Sequence, residues 1–184
     1  MELYEAIYSR RAVRAYGADP VNEQTLRKLI AAATQAPSAM NEQPWAFTVV
    51  RDRNLLAQIS SRSKAHLLLA EVRQQHLREV LSHSDFDIFY QAPVLIAICS
   101  TSNDEWAVVN CALAAQNLML AAHAEGLGTC WIGLAQSWLQ TPEGKAAIGV
   151  PESCRPVAPI IVGHPRSTPL QVARKLPEIA WIGA

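Results

Sequence analysis

Apolar positions recur at helical spacing near the start of the chain. A first helix is indicated by the apolar positions Leu3, Ala6 and Ile7. Asn22 can cap a second helix because its side chain can accept hydrogen bonds from free backbone N–H groups. The apolar face of that helix is formed by Leu26, Leu29, Ile30 and Ala33. Pro37 lacks the amide hydrogen that a helix interior needs, so it marks the end of this segment.

Three segments have the pattern of β-strands. Residues 45–51 and 157–163 are rich in β-branched and aromatic side chains. Residues 93–99 are apolar on both faces, which is typical of a strand covered by other layers on both sides. We therefore predict residues 93–99 as the central strand of a sheet. A short apolar stretch follows later in the chain, at residues 129–132.

Longer helices are predicted before and after the central strand in the sequence. The first spans residues 53–83, and the second begins at Asn103 or Asp104 and runs to Glu125. Gly126 follows at the position where a left-handed residue commonly ends a helix. A shorter helix begins with its cap at Thr141 and proline at its first position. No repeat or linker interrupts the pattern, so residues 1–184 are predicted as one domain of alternating helices and strands.

Composition and charge narrow the class of protein. Apolar residues make up 50% of the chain and charged residues 17%, against about 25% in a typical globular protein, which excludes disorder. The net charge is +0, so no overall field favours nucleic acid or an anionic membrane. The apolar runs are shorter than the ~20 residues of a membrane span, and the N-terminus does not resemble a signal peptide. We expect a cytoplasmic globular protein.

The remaining titratable groups predict no metal centre and no acid–base triad. The cysteines stand far apart in the sequence, at Cys99, Cys111, Cys130 and Cys154. Without a C-x-x-C pair they are expected to be small buried hydrophobes rather than metal ligands or disulfides. The five histidines are scattered, and surface positions are expected for them. Gly126 and Gly128 lack the third glycine of a dinucleotide-binding fingerprint.

A basic cluster follows the first helix. Arg10, Arg11 and Arg14 lie within five residues of a chain that has no net charge. Guanidinium groups so placed can bind a phosphate through charge-assisted hydrogen bonds. Arginines at the end of a helix can equally interact with the helix dipole or remain in solvent, so the cluster alone leaves both readings open.

A polar segment, APSAMNEQPW, joins the second helix to the first strand. Its proline, serine, asparagine and glutamine side chains provide directed donors and acceptors at a junction where sites often form. The alternative is a loop in which Ser38 and Asn41 satisfy only local backbone groups. The segment by itself does not choose between a site and a structural loop.

The succession of segments resembles a known family. RRAVRAY, then APSAMNEQPWAF, then GLGTCWIG and a closing R-K-L-P-E are similar in order and spacing to FMN-dependent nitroreductases over essentially the full chain. The resemblance implies an α+β fold with three layers, in which helices flank a small, mostly antiparallel central sheet. It also implies an intertwined homodimer with FMN at the interface.

The resemblance assigns the basic residues to FMN. Arg10 would bind the phosphate, Arg11 would make nearby contacts, and Arg14 would reach the pyrimidine edge, where reduced flavin gathers negative charge. Arg174, with Lys175, would supply the late basic contact to the phosphate. Ala12 stands where relatives have a serine, so one hydroxyl donor to the phosphate is missing.

The resemblance assigns two further segments to the flavin. Residues Pro37, Ser38, Ala39 and Asn41 would come from the partner subunit and cover the isoalloxazine ring and ribityl chain. One face of the ring, with a backbone N–H at N5, would be lined by Trp131, Ile132 and Gly133. Trp131 could equally be a core residue. Lys64 and Arg73 are both candidates for a contact to the far edge of the ring.

The implied activity is the transfer of hydride from NADH or NADPH to a nitroaromatic, quinone or similar acceptor in a ping-pong sequence. The sequence does not choose between NADH and NADPH, because the nicotinamide would stack on the flavin without a dinucleotide-binding motif. Two alternatives stay open. One is another redox reaction, such as dehalogenation, dehydrogenation or flavin breakdown, and the other is a non-catalytic flavin carrier.

Overall fold

A computed structural model describes residues 1–70 and 74–183 of the chain. These residues form one four-stranded sheet in the order β1-β2-β4-β3, and every neighbouring pair is antiparallel. The strands are β1 (Trp45–Val50), β2 (Val94–Ser100), β3 (Gly128–Trp131) and β4 (Arg155–Gly163). The predicted α+β class with a small antiparallel sheet is confirmed.

Seven α-helices surround the sheet in the described part of the chain. They are α1 (Leu3–Ser9), α2 (Glu23–Ala33), α3 (Arg53–Leu69), α4 (Gln75–Ser82), α5 (Ala107–Ala124), α6 (Gly133–Leu139) and α7 (Pro142–Ala147). α2 and α5 pack on one face of the sheet, and α3, α6 and α7 pack on the other. Every residue of β2 is buried, so its predicted place in the interior of the sheet is confirmed.

Capping residues fix the helix starts that the sequence predicted. Asn22 Oδ1 accepts the backbone N–H of Thr25 at 2.8 Å at the start of α2. Thr141 Oγ1 accepts the N–H of Gly144 at 3.1 Å, and Pro142 occupies the first turn of α7. Both predictions were therefore right because a side-chain acceptor satisfies a backbone donor that a helix start leaves free.

The prediction of one continuous helix over residues 53–83 is wrong. α3 ends at Leu69, and Ala70 leaves the helical conformation at φ −87° and ψ 47°. α4 is separate, and Lys64 of α3 donates to the backbone carbonyls of His83 and Phe86 at 3.0 and 2.7 Å. This tie between α3 and the chain beyond α4 is a tertiary contact, which local periodicity does not report.

Two other boundaries differ from the prediction. α5 begins at Ala107 rather than at Asn103 or Asp104, because the Asp104 carboxylate accepts the N–H of Trp106 at 2.7 Å in a turn that precedes the helix. α6 was not predicted at all, since it follows Ile132 without a side-chain cap. Gly126 does adopt the expected left-handed conformation after α5, at φ +76°.

Apolar side chains remain exposed along α5 and at the C-terminus. α5 is the one helix of the described residues that is long and apolar enough to cross a membrane, but its buried side packs on the sheet as a core helix does. Beyond the sheet, the chain runs without regular structure and exposes the large apolar residues Leu170, Leu176, Ile179, Trp181 and Ile182.

Candidate functional site

The segment after α1 lies tightly against β3. Ala12 forms a parallel bridge with Thr129, and the N–H of Val13 donates to the Thr129 carbonyl at 2.9 Å. Gly128 permits this approach, because a Cβ at that position would lie 2.7 to 2.8 Å from three Val13 side-chain carbons. The backbone that presents the arginines is therefore fixed to the sheet.

A cleft of about 490 Å³ opens beside this segment. Its two sides are residues 10–15 and the start of the C-terminal tail, at 167–174. It brings together four of the arginines named from the sequence, namely Arg10, Arg11, Arg14 and Arg174. Lys175 is exposed and is not part of the cleft wall.

The cleft is positively charged, since no carboxylate lines it among the described residues. The pKa of Arg10 is lowered by burial and then by the like charges of Arg11 and Arg174. Within the described ranges, the two ion pairs are Arg27–Glu23 and Arg62–Glu143, neither of which involves a cleft residue. Three guanidinium groups that oppose one another form a site suited to an anion with several acceptor oxygens.

The Arg11 side chain has one nitrogen that stabilises the end of α1 and another that has no hydrogen-bond partner among the described residues. Its Nη1 donates to the carbonyls of Tyr8 and Arg10 at 2.7 and 2.8 Å, so it satisfies free carbonyls at the end of α1. Its Nε is buried and has no hydrogen-bond partner within the described part of the protein. A buried donor without an acceptor is costly, which fits an anion bound nearby.

The loop after α2 has an unusual backbone. Met40, Asn41 and Gln43 have φ values of 52°, 55° and 51°, in the left-handed region that non-glycine residues seldom adopt. Ser38 Oγ accepts the N–H of Gln43 at 2.9 Å, and the N–H of Ala39 donates to Asn110 Oδ1 at 3.1 Å. Such conformations cost about 1 to 3 kcal/mol each and occur often at functional sites.

This loop does not reach the arginine cleft of its own chain. Pro37 and Asn41 are exposed, Ser38 and Ala39 are half-buried, and none of the four lines the cleft. The four residues that the resemblance assigned to the flavin therefore stand apart from the arginines within a single chain.

The turn from β3 into α6 holds the third predicted segment. The N–H of Ile132 donates to the Pro159 carbonyl at 2.8 Å and is therefore not available to a ligand. Gly133 is the first residue of α6, so its N–H belongs to the turn that has no intrahelical acceptor. Gly133 rather than Ile132 therefore offers a backbone donor for a ligand. Trp131 is half-buried and packs against the core layer that contains α5.

Lys64 and Arg73 were the two candidates for a contact to the far edge of the flavin ring. Lys64 Nζ already donates to the carbonyls of His83, Ser84 and Phe86. This structural role uses its donors, so the structure gives no support to Lys64 as a ligand contact. Arg73 lies outside the described residues.

Other polar contacts near the site were not predicted. The Arg14 guanidinium lies 6.0 Å from the centre of the Tyr90 ring, at the range of a cation–π interaction. Asn110 is 1% exposed, and its Nδ2 has no partner among the residues described. A polar residue inside the apolar pattern of α5 was the sequence signal for Asn110, while no local signal pairs Arg14 with Tyr90.

The cysteines do not form reactive sites. All four are free and buried, as the sequence predicted. Burial raises the pKa of Cys99 to about 12 and that of Cys111 to about 11. Both thiols therefore stay protonated near neutral pH, and thiolates are the reactive form.

Comparisons with known proteins agree with these features. A model described as "Nitroreductase family" matches residues 7–164. A protein of Methanothermobacter thermautotrophicus named "Putative NADH dehydrogenase/NAD(P)H nitroreductase" is 33% identical over 174 residues, covering 92% of this chain and 80% of that protein. The 5,6-dimethylbenzimidazole synthase of Rhodospirillum rubrum is 30% identical over 192 residues and covers 95% of this chain and 84% of that protein.

The fold is also shared with solved structures. A nitroreductase with bound FMN from Bacteroides fragilis superposes with a TM-score of 0.86 at 29% identity, and the match covers 100% of both chains. The similarity thus extends over the arginine cleft, the strained loop and the C-terminal tail.

Proposed function

Because the chain belongs to the nitroreductase family, we propose that it is an FMN-dependent oxidoreductase that takes hydride from NADH or NADPH. Its acceptors are nitroaromatics, quinones or similar conjugated compounds. The observation that carries the proposal is the cluster of cleft arginines, which have no carboxylate partner within residues 1–70 and 74–183. A dianionic phosphate is the ligand that this cluster fits, and FMN has one.

The residues of the cleft fit FMN by their chemistry. Arg10, Arg11 and Arg174 would bind the phosphate, and the unpartnered Nε of Arg11 would gain an acceptor. Arg14, whose guanidinium lies 6.0 Å from the centre of the Tyr90 ring, would place a positive charge at the pyrimidine edge. The free N–H of Gly133 would donate to N5. Lys175 can contribute to the positive field beside Arg174, although it is outside the cleft wall.

FMN, when bound, supplies the hydride and electron transfer itself. The chain binds it, orients it and stabilises the negative charge that develops on the ring, so no acid–base triad is required. Arg14 would perform the last task, because its guanidinium would lie near the pyrimidine edge, where reduced flavin gathers negative charge.

We propose that the protein acts as a homodimer in the cytoplasm. Trp106, the N-cap of α5, and Val109 and Leu113 within α5 are exposed at spacings of three and four residues, so they lie on one face of the helix. A second copy that covers this face would bring its loop with Ser38 and Asn41 toward the arginine cleft. The proposal thus explains why the loop and the arginines are separate within one chain.

We expect ping-pong kinetics if NAD(P)H and acceptor use the same face of the bound flavin in turn. The first product must then leave before the second substrate can stack. Double-reciprocal plots at several fixed acceptor concentrations should be parallel. Intersecting lines would show that donor and acceptor bind together, which contradicts a single shared site.

Restoring the missing hydroxyl should strengthen FMN binding. Ala12 is exposed in the cleft wall, where a serine could donate to the phosphate. We expect Ala12→Ser to strengthen the free energy of FMN binding by about 0.5 to 1.5 kcal/mol, the usual net value of one hydrogen bond. Fluorescence titration measures this, with Ala15→Ser in the same wall as the matched control.

A different redox reaction is the second candidate, favoured by the similarity to the dimethylbenzimidazole synthase. A non-catalytic flavin carrier is the third. Purified protein should show a flavin spectrum that is released as FMN on denaturation. Anaerobic addition of NADPH or NADH should bleach that spectrum in an enzyme that uses these donors, but not in a carrier. Turnover with a panel of nitroaromatic, quinone and halogenated acceptors then separates the first candidate from the second.

A further inference from the structure

His123 joins the end of α5 to the end of α1. Its Nε2 lies 2.7 Å from Ser9 Oγ, and Ser9 Oγ lies 2.6 Å from the Glu5 carbonyl, to which it donates. A hydroxyl has one proton to donate, and Ser9 uses it for Glu5. His123 Nε2 must therefore donate to Ser9, so the neutral ring is protonated at Nε2 and any second proton goes to Nδ1. His123 is half-buried between the two helices, whereas surface positions were expected for the histidines.

The helix end that His123 holds is the one that presents the phosphate arginines. Ser9 is the last residue of α1, and Arg10 is its C-cap. Arg11 folds back onto the carbonyls of Tyr8 and Arg10. The last turn of α1 is thus held by Arg11 and by His123, and its direction sets where the Arg10 side chain enters the cleft.

The charges around His123 oppose its protonation when no anion is bound. Burial and then Arg10 lower the pKa of His123, Glu5 raises it, and Arg11 lowers it further. On its own helix the nearest charged residue in sequence is Glu125, at the C-cap. The largest charge effects on the pKa of His123 thus come from Glu5, Arg10 and Arg11. The other helix packed on α5 is α2, whose charged residues are Glu23, Arg27 and Lys28.

We propose that His123 is a positioning residue for the phosphate site, and that binding of the FMN phosphate at Arg10 and Arg11 brings a proton from solvent onto His123 Nδ1. The proposal rests on the proposed function, since FMN provides the anion. The anion offsets the two cations that oppose a charge on His123, and the C-terminus of α5 favours a positive group. The bond to Ser9 persists in both states because Nε2 donates in both.

The direction of the pH effect follows from this linkage. Bound phosphate raises the pKa of His123, so the FMN complex holds more protons than the free protein at pH values between the two pKa values. FMN affinity therefore increases as the pH falls through the pKa of the complex. At higher pH, where His123 is neutral in both states, it contributes no proton linkage.

The experiment compares wild-type protein with His123→Gln in FMN titrations from about pH 8 to pH 5, a range that extends below the ordinary histidine pKa because the pKa of free His123 is lowered. Glutamine can still donate to Ser9 but does not titrate. Wild-type affinity should improve relative to the variant by about two- to fivefold as the pH falls, the size expected for partly exposed charge pairs. The comparison cancels the titration of the FMN phosphate, which is common to both proteins. Calorimetry in buffers of different ionisation enthalpy should show greater proton uptake by the wild type.

Two further measurements keep the outcome unambiguous. Riboflavin, which lacks the phosphate, should bind both proteins with the same pH profile. Ser9→Ala should weaken FMN binding about two- to tenfold across the pH range, because the helix end loses its tie to α5. Superimposable FMN profiles for wild type and His123→Gln would overturn the role of His123 and leave the flavin site intact. Failure of the wild-type protein to bind FMN at any pH would overturn both.

Discussion

Arg10→Ala should raise the FMN dissociation constant about 10- to 150-fold. This corresponds to about 1.5 to 3 kcal/mol, the range for a hydrogen bond to a charged group. Arg10 is half-buried in the cleft wall beside Arg11 and Arg174, so its loss removes a partly desolvated contact to the phosphate. Fluorescence titration of FMN-free protein measures the change.

The same substitution should not destabilise the FMN-free protein. Arg11 and Arg174 oppose the charge of Arg10, so removing it relieves repulsion, and the melting temperature should stay the same or rise. Arg27→Ala is the matched control, because Arg27 is an exposed residue of α2 that pairs with Glu23. Equal FMN affinities for wild type and Arg10→Ala would contradict the phosphate assignment.

Local patterns predicted the parts of the fold that depend on nearby residues. The central strand β2 was recognisable because both of its faces are apolar, and the starts of α2 and α7 because Asn22 and Thr141 cap them. The start of α5 was misplaced because Asp104 accepts a backbone N–H in a turn as readily as at a helix start. A side chain that can accept a backbone N–H marks the start of a turn or of a helix, and the sequence alone does not distinguish the two.

Contacts between distant segments were not predictable in the same way. Neither the break between α3 and α4 nor the tie from Lys64 to the carbonyls beyond α4 has a periodic signal. The approach of residues 167–174 to the arginines is equally invisible to pattern. Family resemblance supplied the positions of Arg10, Arg14 and Arg174, and the structure added that they share a cleft. It also showed that the N–H of Ile132 donates to the Pro159 carbonyl, so we propose Gly133 rather than Ile132 as the donor to N5.

A charge introduced on the exposed face of α5 should dissociate the proposed dimer and, at the same time, release FMN. Leu113→Glu places a carboxylate where a second copy would bury an apolar side chain, and an uncompensated buried ion costs several kcal/mol. Leu113 is 39% exposed in the single chain, so the variant can still fold as a monomer. Analytical ultracentrifugation and FMN titration of the same samples measure both effects.

The expected coupling follows from a site shared between two chains. If Ser38 and Asn41 of one copy cover the flavin bound to the arginines of the other, then dimerisation and FMN binding are linked equilibria. Dilution of the wild type should therefore lower the melting temperature and release FMN in parallel, and added FMN should oppose both changes. Leu69→Glu, at an exposed apolar position at the end of α3, should leave both properties unchanged. A monomeric Leu113→Glu protein that retains wild-type FMN affinity would contradict the two-chain site and the placement of Ser38 and Asn41 over the flavin.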